Sequence, residues 1–93
     1  MKDQENIAPI EQYLIDYIVR LRTKNRMSQA GIADLLGVDK SFIGNIESKR
    51  NSAKYNLRHL NILADYFKLS PRDFLPLKPL KQKNFAKGKT SRE

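Results

Sequence analysis

The sequence has no cysteine and no tryptophan, and its only histidine is His59. Without thiols there is no disulfide and no thiolate metal site, which suits a reducing compartment. One histidine excludes a multi-histidine metal centre within a single chain. Long apolar runs are also missing: none approaches the about 20 residues that a membrane-spanning helix needs. The opening MKDQENIAPI has neither the basic head nor the apolar stretch of a secretory leader. A cytoplasmic protein is the expectation. For catalysis there is little material. His59, placed on a helix face, has no cysteine partner and no serine or carboxylate constellation around it, and no glycine-rich phosphate loop is present. Neither an enzyme nor a cofactor is expected.

Acidic residues are scarce as well. Ten Asp and Glu stand against 18 Lys and Arg, leaving a net charge of +8 over 93 residues. Such an excess favours polyanionic partners, nucleic acid ahead of an anionic membrane surface. It is spread unevenly. Residues 76–93 hold six cations and one acid, residues 10–75 eleven and seven, and residues 1–9 one and two. The C-terminal stretch, rich in lysine and holding few apolar residues, reads as a basic disordered tail over 77–93. Residues 1–9 read as a flexible N-terminus. Between them, 10–76 is long enough for one small core.

That middle segment reads as helices throughout, with no strand pattern. Pro9 opens the first, with Ile10, Tyr13, Leu14, Tyr17, Ile18 and Leu21 at helical spacing. Ser28 caps a second, short helix that stops at Gly37, and Met27 and Ile32 form a hydrophobic staple pair. Asp39 caps a third over Lys40 to Ser48, with Val38 and Ile43 as the equivalent pair. A fourth follows the loop KRNSAKYN and places Leu57, Leu60, Leu63, Ala64 and Phe67 on one face. The segment SPRDFLP starts a fifth, with Ser70 as cap, Pro71 first and Asp73 as a capping-box acid. The expected fold is an all-α, compact four- to five-helix domain.

Ala33, Gly37 and Ile43 carry the sharpest pattern. A small residue at a helix crossing, a residue tolerant of positive φ at the turn, and a core filler beneath the next helix make a helix-turn-helix. Around it, LRTKNRMSQAGIADLLGVDKSFIGNIES resembles the phage repressor and Cro type of helix-turn-helix, the xenobiotic response element family. The matching residues are Arg22, Ser28-Gln29, Ile32-Ala33, Gly37-Val38 and Ile46-Glu47, and the likeness runs from about residue 18 to 75.

The resemblance implies double-stranded DNA as partner and a transcriptional regulator, a repressor, as function. The third helix would enter the major groove. The resemblance implies that Lys40, Ser41 and Asn45 read bases, and their chemistry fits: lysine donates to guanine, asparagine pairs with adenine, and serine suits either. Ser28, Gln29, Lys49, Arg50 and Asn51 would hold phosphates, with Lys54 and Arg58 extending the strip. Arg22 and Glu47 would form a structural ion pair setting the angle of the third helix. A homodimer on a palindromic operator is implied, with its surface around the fifth helix and residues 74–77. A different reading of the same likeness is an antitoxin or interaction module whose main partner is a protein, operator binding being secondary. Four departures stand out. Gly31 replaces a frequent acid, Gly44 lies within the third helix where serine or another polar residue is frequent, Lys49 stands where glycine is common, and the loop before the fourth helix is about two residues longer.

Overall fold

The computed structural model describes residues 7–50 and 52–81. Most of the expected flexible N-terminus and of the basic tail lies outside that range, as does Asn51. The described residues are all helical or loop, with four α-helices: α1 (Pro9–Lys24), α2 (Gln29–Leu36), α3 (Lys40–Glu47) and α4 (Leu57–Phe67). The segment expected as a fifth helix is instead one 3-10 turn, Pro71–Phe74. Pro76 leaves no room to extend it. Its start is as the sequence implied: Ser70 Oγ accepts from the Arg72 amide at 3.3 Å, and the Ser70 amide donates to Asp73 Oδ2 at 2.9 Å.

The core is built from Ile15, Ile18, Ile32, Ala33, Leu36, Ile43, Ile46, Tyr55, Leu60, Leu63, Ala64 and Phe74. The short helices α2 and α3 make the most extensive helix pairing. Neither is long enough to persist alone in water, so packing holds them. Met27 and Val38, just ahead of the two caps, lie half-buried against the same core. Phe74 is fully buried, its ring edge-on to Tyr17 at 4.8 Å between centroids. It is therefore a core residue and not part of an exposed dimer surface; Leu75 and Leu77 beyond it are exposed. Leu57 also departs from the expected pattern. It opens α4 at its first position, ahead of the turn that meets the core, and is 79% exposed.

All four helices end in the same way. In each, two backbone amides fold back onto the last turn, and one residue takes a left-handed conformation: Arg26 (φ 56), Gly37 (φ 70), Lys49 (φ 61) and Lys68 (φ 60). This is the Schellman arrangement, in which glycine is the usual left-handed residue. Here glycine holds it only at the α2–α3 turn. The other three positions are cations, which favour the negative end of a helix but hold a strained backbone.

Candidate nucleic-acid interface

Glu47 closes α3 and is gripped from two other helices. Arg22 of α1 binds it in fork geometry: Nε donates to Oε2 at 2.9 Å and a terminal guanidinium nitrogen to Oε1 at 2.8 Å. Another guanidinium nitrogen donates to the Met27 carbonyl at 3.0 Å. Gln29, the first residue of α2, donates its amide N–H to Glu47 Oε1 at 2.9 Å. One carboxylate thus ties α1 and α2 to α3, and the same arginine holds the α1–α2 turn. The pair is largely buried, with side-chain exposures of 15% and 13%. The Arg22 hydrogen bonds hold the Glu47 carboxyl below its ordinary range against the opposing effect of burial, with help from Gln29. The same bonds push the Arg22 guanidinium up.

With the inner side of α3 tied down, its outer side follows from helical geometry. At about 100° per residue, Phe42, Ile43 and Ile46 share one side. Ile43 and Ile46 are fully buried and Phe42 half-buried. Lys40, Ser41, Gly44, Asn45 and Ser48 fall on the opposite side. Lys40, Ser41 and Ser48 are exposed; Gly44 and Asn45 are half-buried. Eight residues span about 12 Å, comparable to the width of a B-DNA major groove.

Asp39 takes the extended conformation of an N-cap, yet its side chain accepts no amide from α3. Instead Oδ2 accepts a long hydrogen bond, 3.4 Å, from the Ser41 hydroxyl. The expected side-chain cap is thus absent. Ser28 does cap α2, with Oγ accepting from the Gly31 amide at 3.0 Å. A Cβ at Gly31 would come within 2.6 Å of Met27 Cγ. Glycine in place of the frequent acid lets Met27 fold down over the first turn of α2.

Around this face, Ser28 and Arg50 are exposed, while Gln29 and Lys49 are half-buried. Lys54 is drawn toward α1 instead, pairing with Glu11 at 3.2 Å. Arg58 is exposed on α4.

His59 has a role the sequence did not reveal. It is 3% exposed, and its Nδ1 accepts the Asn56 amide at 3.1 Å while Asn56 Oδ1 accepts the His59 amide at 2.9 Å. This is a capping box with histidine in the place of the usual Glu or Gln. Its ring lies edge-on to Phe42 of α3 and to Tyr55, at 5.8 and 6.1 Å. Burial, and then the Arg58 charge, push the imidazole below its ordinary value. The signal available in the sequence was Asn56 three residues ahead of His59.

A protein-family model described as helix-turn-helix matches residues 18–74, well over half of the chain. The chain belongs to the Cro/C1-type helix-turn-helix family. That family consists of DNA-binding regulatory domains rather than enzymes, and its partner is double-stranded DNA. No curated protein and no solved structure matches the chain. No helix among the described residues is long and apolar enough to cross a membrane.

Proposed function

We propose that the protein is a sequence-specific transcriptional repressor of the cytoplasm, binding operator DNA as a homodimer through α3 in the major groove. The observation that carries this reading is the three-helix grip on Glu47. It fixes the orientation of a helix whose free side is polar, small or cationic. The grip stabilises the fold, and it also holds that polar side at a fixed angle to the rest of the domain, as reading base edges requires.

Lys40 then donates to guanine O6 and N7, Asn45 pairs with an adenine edge, and Ser41 contacts either. Ser28, Gln29, Lys49 and Arg50 hold phosphates at the two ends of the helix-turn-helix; Asn51, expected to join them, lies outside the described residues. Gln29 spends one amide hydrogen on Glu47 and keeps another for a phosphate oxygen. Repression follows from occupancy alone, because a protein seated on an operator excludes others from it. One eight-residue helix reads few bases, so specificity calls for two copies. Leu75 and Leu77, beside the 3-10 turn, are among the exposed apolar residues that support self-association, with Ile10, Leu57, Tyr66 and Leu80.

Selection of duplexes from a random pool at moderate salt tests the reading. An inverted repeat with half-sites about one helical turn, ~34 Å, apart is expected. Recovery of duplexes with no shared motif would refute sequence-specific regulation.

A further inference from the structure

Gly44 is the fifth of the eight residues of α3, and nothing in the fold asks for glycine there. Its backbone is helical, so no positive φ is being accommodated. A Cβ at this position would meet only Gln29 Oε1, at 3.6 Å, an ordinary van der Waals contact. A helix-interior glycine weakens the helix relative to alanine. Five residues on, just past the end of the same helix, Lys49 has φ 61, where glycine would relieve the backbone. The chain thus keeps a glycine where its own packing gains nothing and withholds one where its backbone would gain. The left-handed cation is not peculiar to α3, since Arg26 and Lys68 end α1 and α4 in the same way; the glycine that packing does not explain is what sets the outer side of α3 apart. Gly44 lies there beside Lys40, Ser41 and Asn45, on the edge that faces Gln29.

We infer that Gly44 is a specificity-determining residue of the DNA interface, an assignment that rests on the proposed binding mode. Its missing side chain lets the α3 backbone approach the floor of the major groove. At that depth Lys40 and Asn45 reach base edges. A methyl group at position 44 holds the helix back from the bases. Nonspecific binding rides on phosphates and does not need that depth.

The test compares wild type, Gly44→Ala and Lys49→Gly on two duplexes of equal length at one salt concentration. One duplex is that selected by the wild type, the other an unrelated sequence. Gly44→Ala is expected to raise the melting temperature by a few degrees. Its affinity for the selected duplex should fall about tenfold or more, the scale of a single base-reading hydrogen-bond pair, with affinity for the unrelated duplex unchanged. Lys49→Gly should also raise the melting temperature but weaken both duplexes by the same factor. The inference is overturned if Gly44→Ala binds the selected duplex as well as wild type, weakens both duplexes alike, or melts lower. If the wild type itself selects no sequence, the binding mode fails, and this inference with it. That result is distinct from a wild type that selects and a variant that selects equally well.

Discussion

At the scale of single residues, Glu47 and Tyr55 show opposite consequences of burial. Removing one partner of a buried ion pair strands the other charge, a loss of about 3–5 kcal/mol when burial is complete. The Arg22–Glu47 pair keeps some exposure, so Glu47→Ala should lose about 2–3 kcal/mol, whereas exposed Asp65→Ala should stay within about 0.5. Urea denaturation of the two variants decides it; equal midpoints would contradict the structural role of the pair. Acid should act on the same group. Because the folded carboxyl titrates below its ordinary 4.5, its stabilisation is whole above that pH and is lost as pH falls toward the folded value. Tyr55 is different. Its hydroxyl is buried with no hydrogen-bond partner among the described residues, and burial pushes the phenol far up. Tyr55→Phe removes an unpaired polar atom and keeps the ring, so its midpoint should equal or exceed that of the wild type. A clear drop would mean that the hydroxyl is paired in solution.

At the scale of elements, the helix starts and ends divide what the sequence could reveal from what it could not. Ser28, Ser70 and Asp73 act as their residue types imply, because short polar side chains ahead of an apolar run have few other uses. Asp39 does not: its carboxylate meets the Ser41 hydroxyl two residues on and no amide of α3. His59 was illegible, since histidine at the third helical position is no standard cap and its burial depends on Phe42 from another helix. The neutral ring accepts the Asn56 amide, and the cation cannot. Its contribution is therefore whole above pH 6.5 and declines as pH falls below that toward the lower folded value. His59→Gln keeps an acceptor at that position. It should be less stable at neutral pH but should flatten the fall in urea midpoint as pH drops below 6.5. An unchanged slope would place the titration elsewhere. Left-handed lysines were equally hidden, for no residue type announces them. Lys68 ends α4, outside the proposed interface, so Lys68→Gly should stabilise by about 0.5–1 kcal/mol with DNA affinity unchanged. Loss of stability would show that its charge outweighs the backbone strain.

At the scale of the whole molecule, the all-helical fold was legible because the apolar spacing, the caps and Gly37 agree on it. The turn from α2 to α3 is local, and local signals suffice for it. What the sequence hid was set by tertiary packing: Phe74 turned inward onto Tyr17, and Leu57 left outside. For the interface, the residue types on α3 became legible only through the family likeness. In the proposed binding mode the outer side of α3 reads bases while the residues that follow it hold phosphates. The direct measurement is the affinity of wild type, Asn45→Ala and Arg50→Ala for every single-base variant of the selected operator. Asn45→Ala is expected to lose about 1–3 kcal/mol on the operator, together with discrimination at one base pair per half-site. Arg50→Ala should weaken all variants equally and reduce the salt slope by about one unit for each phosphate no longer neutralised. An Asn45→Ala protein that weakens every variant alike, or none, would contradict that binding mode.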